Sequence, residues 1–278
     1  MQPAIAVCSA FGFLVTACAA TSTGPDPAPA GAEAAAAPLC DPAQPFDCVK
    51  KGRAHQWGKG VEKNPAQARA AFAHGCDGGN LNACMALGAF LRQAGEPAAA
   101  LAALDAACDG GYLFACVHAG NLYIGNAGMG RDYAKARAYY ERACQDMRRL
   151  EPPPMKLEFT VGQAYGCDNL GMLYENAWGV ERNRGRTFEL AAFACAHGWG
   201  NGCNQVGVFI GRGWAPGEHA EDEQLDWYRK ACELNDGNGC CNAAIYLHRE
   251  QTTTEDGQDA ADYLERAEKV HWNCKLPD

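Results

Sequence analysis

Apolar residues recur with the spacing of an α-helix along the chain. In residues 134–144 this spacing places the apolar residues on one face, which predicts a helix that packs on a neighbouring helix. Asn64 followed by Pro65 indicates the start of another helix, because proline loses no hydrogen bond at the first helical position. A Gly-Val-Glu-Lys or Gly-Val-Glu-Arg sequence followed by asparagine precedes such Ala-rich runs and predicts a turn. Together these patterns predict hairpins of two helices.

The predicted hairpins form a repeat. Five-residue sequences that begin with cysteine and end with glycine occur at residues 84–88, 116–120, 167–171 and 203–207. Their period is about 32 to 37 residues, except between Cys116 and Cys167, where residues 147–162 predict an inserted loop with three prolines. Because one hairpin cannot bury its apolar face alone, neighbouring hairpins must stack. The predicted fold class is all-α, a helical solenoid.

Cysteine is the most informative residue type in this chain. Beyond Cys8 and Cys18 there are fourteen cysteines, and five pairs of them lie eight positions apart. An even number of regularly spaced cysteines predicts disulfides formed in an oxidising compartment. The regular eight-residue spacing differs from the close Cys and His pairs of zinc sites, so we expect no metal.

The charge of the chain limits the classes of partner that we expect. The formal net charge is −9, and 48% of the residues are hydrophobic, which is enough for a buried core. The Lys and Arg residues look scattered along the sequence, without a basic helix or arm. A nucleic acid is therefore not expected as a partner.

The N-terminal residues predict export. Residues 4–15 are apolar but too few to span a bilayer, so residues 1–17 are interpreted as a signal peptide. The sequence Leu-Val-Thr-Ala-Cys that ends at Cys18 resembles a bacterial lipobox, which implies that Cys18 carries a lipid. The alternative is cleavage near Ala20 without a lipid, and the first three residues lack the Lys or Arg of a usual signal.

The rest of the chain divides into a tether and a repeat domain. Residues 18–38 are rich in Ala, Pro and Thr and predict an extended tether. Residues 39–278 predict the solenoid, with about six repeats. The expected location is the periplasm or the outer membrane of a bacterium, with the lipid on Cys18 as the attachment to the membrane.

The repeat sequence, the turn motif and the cysteine spacing together resemble the Sel1-like repeat family. They are most similar to its cysteine-rich branch, typified by the Helicobacter cysteine-rich proteins, over about residues 40 to 274. The resemblance implies a right-handed α/α solenoid in which a disulfide joins the second helix of one repeat to the first helix of the next.

That arrangement implies a set of seven disulfides. The implied pairs are Cys40–Cys48, Cys76–Cys84, Cys108–Cys116, Cys144–Cys167, Cys195–Cys203, Cys232–Cys240 and Cys241–Cys274. The last pair departs from the family pattern, since Cys240 and Cys241 are adjacent in sequence. A vicinal bridge between these two residues is the alternative, although it would strain the backbone.

The resemblance also raises one enzymatic alternative. Some members of the family are described as penicillin-binding proteins with weak β-lactamase activity, which implies a binder of β-lactams or peptidoglycan fragments. Serine β-lactam chemistry needs a nucleophilic serine near a lysine, but Ser9 and Ser22 are the only serines, in the signal peptide and the tether. The seven histidines are dispersed. We therefore predict no catalytic residue and no cofactor.

A binding role is the favoured interpretation. Solenoids bind ligands in the groove lined by the first helices of their repeats. The position two residues after a repeat's second cysteine is polar in four repeats: His118, Asn169, Gln205 and Asn242. These side chains could hydrogen-bond an extended peptide; the alternative is that they satisfy backbone groups between repeats. The predicted partner is a protein or peptide, with a peptidoglycan fragment as a further possibility.

Aromatic residues supply further candidates. Tyr123 and Tyr174 follow the second cysteine of their repeats by seven residues, where they would either pack in the core or contact a ligand. Tryptophans also fall at predicted turns, at positions 57, 178, 199 and 214. We expect these tryptophans to pack rather than to act as exposed anchors.

Overall fold

The structure is a computed structural model of the chain. It describes residues 40–41, 44, 46–125, 129–144, 157–220, 223–255 and 257–277, with the backbone alone for residues 157–160. The chain divides into the units Met1–Ala37 and Pro38–Asp278, and all described residues belong to the second. The predicted signal peptide, the tether and Cys18 lie outside the described residues.

The described residues form twelve helices and no strand. The helices are α1 (Asp47–Trp57), α2 (Pro65–Asp77), α3 (Leu81–Gln93), α4 (Pro97–Asp109), α5 (Leu113–Ile124), α6 (Tyr133–Ala143), α7 (Leu157–Asn176), α8 (Arg184–Ala196), α9 (Gly200–Gly211), α10 (Glu223–Glu233), α11 (Gly237–Glu250) and α12 (Ala260–Lys269). Each odd-numbered helix packs on the following even-numbered helix, which makes six hairpins. The predicted all-α solenoid is confirmed.

Helix starts follow from side chains that cap the first turn. Asn64 accepts a hydrogen bond from the backbone N–H of Gln67 at 3.1 Å, directly before Pro65 begins α2. Asn183 caps α8 in the same way, with a distance of 2.9 Å to the N–H of Arg186. The asparagine that ends each Gly-Val-Glu motif is therefore an N-cap, which satisfies an N–H that the helix itself leaves unpaired.

The glycine of the five-residue repeat sequence allows the two helices of a hairpin to approach. A Cβ atom added at Gly120 would lie 2.6 Å from Cε1 of Tyr140, and one added at Gly207 would lie 2.6 Å from Cε1 of Tyr228. Tyr140 is fully buried on α6, and Tyr228 is buried on α10. The repeat therefore needs glycine on the first helix where a large side chain of the second helix crosses it.

Disulfides join successive hairpins. The fourteen described cysteines form seven bonds: Cys40–Cys48, Cys76–Cys84, Cys108–Cys116, Cys144–Cys167, Cys195–Cys203, Cys232–Cys240 and Cys241–Cys274. Five of them link the end of an even-numbered helix to the next odd-numbered helix. The solenoid is thus stapled at each step of the stack.

Helix α7 differs from the other first helices. In the disulfides between hairpins, the second cysteine of the pair is the fourth residue of α3, α5, α9 and α11. In α7 the corresponding residue, Cys167, is the eleventh residue of the helix. The helix begins at Leu157, so residues 157–162, which the sequence placed in the insertion, are helical. The added turns lie against the start of α5, since Gly162 is close to Leu113 and Phe114.

The odd-numbered helices form the more tightly packed row. Helices two apart in sequence pack directly at α1–α3, α5–α7, α7–α9 and α9–α11, and in the even-numbered row at α10–α12. We call the odd-numbered helices the inner row, since the first helices of the repeats are expected to line the binding groove of such a solenoid. None of the described helices combines the length and apolar character that a membrane crossing requires.

Candidate functional site

A group of aromatic rings lies on the inner row around Tyr165 of α7. The ring centroid of Tyr165 is 4.7 Å from that of Trp199, 6.1 Å from that of Phe114 and 6.3 Å from that of His118. All four side chains are half-buried, so each ring keeps an accessible part. The rings come from α5, α7 and the turn before α9, which makes them a surface shared by three consecutive repeats.

A buried carboxylate holds the edge of this aromatic group. Asp168 is 7% exposed, and its Oδ2 accepts hydrogen bonds from Nε1 of Trp199 at 3.0 Å and from Nδ2 of Asn201 at 2.8 Å. Its Oδ1 accepts a third from Nε2 of Gln205 at 3.0 Å. Three neutral donors from the next repeat therefore converge on one carboxyl group. We call Phe114, His118, Tyr165, Trp199, Asn201 and Gln205 the Tyr165 surface.

Burial controls the ionisation of Asp168. It raises the pKa of the carboxyl to about 6, while the hydrogen bonds from Asn201 and Trp199 lower the pKa, and the charges of Asp236 and Glu175 raise it. The pKa of His118 is lowered, chiefly by burial and then by the positive charge of Arg92. Because both effects disfavour the charged form, the surface has a carboxyl group that titrates near neutral pH and a histidine that favours the neutral form.

A second group of hydrogen bonds connects Tyr165 to the core. Nδ2 of Asn121 donates to the hydroxyl of Tyr165 at 3.4 Å, and the hydroxyl of Tyr140 donates to Oδ1 of Asn121. Tyr140 is fully buried between α5 and α6, and burial raises the pKa of its phenol. The position of Tyr165 is therefore linked to the core of the preceding hairpin.

The four residues of the predicted polar column have different surroundings. His118 and Gln205 lie in the Tyr165 surface. Asn169 is 9% exposed, and its Nδ2 donates to the backbone carbonyl of Tyr165 in its own helix. Nδ2 of Asn242 donates to Oδ1 of Asn204 in the neighbouring repeat at 2.7 Å. The structure thus brings two of the four together and gives the other two partners within the stack.

The two candidate tyrosines pack with the core. Tyr123 is 6% exposed and stacks on Tyr139, with ring centroids 6.1 Å apart. Tyr174 is half-buried and packs against the same core cluster. Both side chains therefore pack with residues of the core cluster.

Asp168 and Trp199 are the site residues that sequence reasoning did not single out as a pair. The position directly after a repeat's second cysteine is apolar in three repeats, as Val49, Met85 and Val117, but it is Asp168 in the fourth. A lone acidic residue at a mostly apolar repeat position was the available signal. Trp199 was expected to pack, and it does so through a hydrogen bond that the sequence does not reveal.

The side chains of the Tyr165 surface determine which contacts it can make. It offers rings for apolar contact and amides that both donate and accept hydrogen bonds. No cluster of three or more His, Cys, Asp or Glu side chains in the described part of the chain could hold a metal ion.

Comparison with known proteins agrees with the fold. The family model described as Sel1 repeat matches residues 52–70, 114–146, 164–199 and 225–236. The crystal structure of a Sel1 repeat protein from Oxalobacter formigenes is 18% identical, covers 85% of this chain and 88% of its own, and superposes with a TM-score of 0.62. No curated protein matches the chain.

Two further solved structures are similar over most of this chain. One is c5321, a protective antigen present in uropathogenic Escherichia coli strains displaying an SLR fold, at 20% identity, 81% coverage of this chain, 53% of its own chain and a TM-score of 0.35. The other is the immunity protein Pa5087 from Pseudomonas aeruginosa, at 14% identity, 84% and 81% coverage and a TM-score of 0.44. The matched segments are thus similar to Sel1 repeats, and the chain shares the fold of the Oxalobacter formigenes protein.

Proposed function

We propose that this chain is an exported repeat scaffold that binds a partner protein or peptide on its inner row of helices. The observation that carries the proposal is the Tyr165 surface, where accessible rings and amides from three repeats lie together. Sel1 repeat proteins commonly bind proteins, which supports the same conclusion. Interfaces of this kind gain most of their affinity from a few aromatic residues in partly enclosed positions.

An extended peptide fits the chemistry of this surface. Oε1 of Gln205 is buried and has no hydrogen-bond partner among the described residues. A backbone N–H of a bound peptide would supply the missing donor once the half-buried Gln205 side chain turns this oxygen to the surface. Apolar side chains of the same peptide would contact Tyr165 and Trp199, which are 4.7 Å apart. Recognition would then combine one backbone contact with aromatic contacts.

The disulfides support the export part of the proposal. Seven bonds among the described cysteines indicate an oxidising compartment, because the cytoplasm keeps thiols reduced. We further propose that the protein lies in the periplasm or at the outer membrane, with a lipid on Cys18. A lipid anchor would hold the scaffold at the membrane while the inner row binds its partner.

Site-specific photo-crosslinking in the native envelope tests the binding surface. A photoreactive phenylalanine analogue at Phe114 replaces a half-buried ring of the surface. The matched control is the same analogue at Phe193, a half-buried ring on α8 in the even-numbered row. We expect a defined crosslinked partner from position 114 and none from position 193. Equal crosslinking from both positions would contradict the assignment of the surface.

Affinity measurements on the identified partner segment complete the test. Trp199→Ala and Gln205→Ala should each weaken binding about tenfold or more, as expected for residues at the centre of an interface. The control Trp214→Ala removes a tryptophan from another turn, where Arg184 lies 3.9 Å from the ring centroid. An unchanged affinity in the Trp199 and Gln205 variants would place the binding site elsewhere on the scaffold.

A further inference from the structure

Helix α1 carries an open face that the repeat stack does not use. Phe46, Lys50, Arg53 and Trp57 follow one another at helical spacing along this face, and Lys59 lies two residues after the end of the helix. With two neighbouring residues they line a shallow cavity of about 380 Å³; the lining residues are Phe46, Val49, Lys50, Arg53, Ala54, Trp57 and Lys59. We call this the α1 patch.

The α1 patch exposes large apolar side chains. Phe46 is 62% exposed and Trp57 is 55% exposed, and Val61 in the following turn is 42% exposed. These are three of the five exposed large hydrophobic residues in the described part of the chain. The expectation that the tryptophans at turns pack is therefore wrong for Trp57. In the last repeat, the Cys241–Cys274 disulfide ties the final segment onto α11, where Trp272 lies against Gly237 and is 44% exposed. The two most exposed of these side chains, Phe46 and Trp57, thus lie together on the first helix of the stack.

The same region concentrates positive charge in an acidic chain. Residues 46–63 contain five Lys or Arg and two carboxylates, a net charge of +3, whereas the whole chain has a net charge of −9. Lys51 is paired with Asp47 at 3.0 Å. Arg53 and Lys59 lie 6.0 and 5.5 Å from the ring centroid of Trp57, and both side chains are exposed. Cations that look scattered along the sequence thus flank one exposed indole.

We propose that the α1 patch is a docking surface for an anionic phospholipid bilayer. Exposed tryptophan and phenylalanine enter the boundary between headgroups and acyl chains, and neighbouring Lys and Arg bind anionic headgroups. Charge decides the occupant, because this positive patch on a negative molecule is complementary to an anionic surface.

The position of the patch in the chain agrees with a membrane occupant. Helix α1 is the first helix of the described stack, so residues 1–39 join the repeats at this end. A lipid on Cys18 would keep this end close to the bilayer and raise the local concentration of headgroups. The docking proposal does not require the lipid, since the patch itself supplies the apolar and charged contacts. The Tyr165 surface lies on α5 to α9, so the two proposals concern separate residues.

Co-sedimentation with vesicles tests the proposal on the full chain. Cys18→Ser removes any lipid attachment, and every variant carries this change. The vesicles contain phosphatidylcholine with about 30% phosphatidylglycerol, or phosphatidylcholine alone. We expect binding to the anionic vesicles, at least tenfold weaker binding to the neutral ones, and release from the anionic vesicles by salt.

Matched charge reversals locate the contact. Lys50→Glu with Arg53→Glu should weaken binding about tenfold or more, whereas Lys230→Glu with Lys275→Glu makes the same change of charge on other exposed cations and should have little effect. Trp57→Ala should weaken binding severalfold at unchanged net charge. Circular dichroism of each variant reports whether its helices are intact. Release from the vesicles by salt is measured on the chain without these reversals, so this part of the test does not depend on whether a variant folds.

Two results would overturn the proposal. Equal binding of the two charge-reversed pairs would show that net charge or the N-terminal segment, rather than the α1 patch, holds the vesicles. The Lys50 and Arg53 variant could also bind vesicles as well as the unchanged chain but no longer bind an acidic polypeptide such as polyglutamate. That result would assign the patch to an acidic protein partner instead.

Discussion

The indole N–H of Trp199 donates a hydrogen bond to the carboxyl group of Asp168 at 3.0 Å, although the two residues are 31 positions apart in the sequence. The bond crosses from one repeat to the next, and Tyr165 lies beside the same indole. Asn201 and Gln205 donate to the same carboxyl group. The buried carboxyl therefore positions a ring of the proposed binding surface.

Asp168 should make the stability of the protein depend on pH. Burial raises its pKa from 3.8 to about 6 in the folded state, so the folded state binds more protons than the unfolded state between these values. The contribution of Asp168 to stability is therefore most favourable below about pH 4 and decreases until about pH 6. Asp168→Asn removes this titration. Its free energy of unfolding relative to the unmodified protein should rise by about 2 kcal/mol from pH 4 to pH 7.

Urea denaturation of both proteins at a series of pH values measures this difference. Glu189→Gln is the control, because Glu189 is an exposed carboxylate paired with Arg186 on α8. Its stability curve should run nearly parallel to that of the unmodified protein. A parallel curve for Asp168→Asn as well would show that the carboxyl keeps an ordinary pKa.

Trp199→Phe separates the ring from its hydrogen bond. The substitution keeps an aromatic side chain but removes the donor to a buried carboxylate, which should cost about 1.5 to 3 kcal/mol at pH 7. The cost should be smaller at pH 4, where Asp168 is protonated. Trp178→Phe is the matched control, since Trp178 stacks on Tyr133 with ring centroids 5.5 Å apart. A loss that is the same at both pH values would argue against a charge-assisted bond.

Gly120→Ala tests the close approach of α5 and α6. The new Cβ would lie 2.6 Å from Cε1 of buried Tyr140, so the hairpin must shift, at a cost of about 1 to 3 kcal/mol. Gly171→Ala changes the same repeat position on α7, where the nearest side-chain atom would be 3.6 Å away. That variant should be neutral or more stable by about 0.5 kcal/mol, because alanine favours the helix. Thermal denaturation of both variants decides between helix propensity and packing.

Removal of single disulfides should cost more where the closed loop is longer. The Cys144–Cys167 bond closes a separation of 23 residues and Cys76–Cys84 one of 8. In the loop-entropy model the two bonds stabilise the fold by about 3.4 and about 2.5 kcal/mol. Paired Cys→Ala variants compared by urea denaturation should preserve this order. The reverse order would mean that local packing around the cysteines outweighs chain entropy.

The predicted architecture rests on features that are local in the sequence. Helical period, the Asn64–Pro65 helix start and eight-residue cysteine spacing each involve residues that are close along the chain. Their structural consequences, a capped helix and a short disulfide loop, therefore follow almost without reference to distant residues. Helix α7 marks the boundary of this reasoning, because its first turns follow a proline-rich stretch and lie against α5 rather than continuing the repeat pattern.

By itself, the sequence determined the stack of helical hairpins, since repeated local patterns must bury their apolar faces against one another. Only the tertiary structure decided which polar and aromatic side chains meet across that stack. Three amide residues occupy equivalent repeat positions: Asn169, Gln205 and Asn242. Gln205 donates a hydrogen bond to Asp168, Asn169 donates to a carbonyl of its own helix, and Asn242 donates to Asn204. The physical reason is that contacts between repeats depend on how successive hairpins rotate against each other, and no single repeat encodes that rotation.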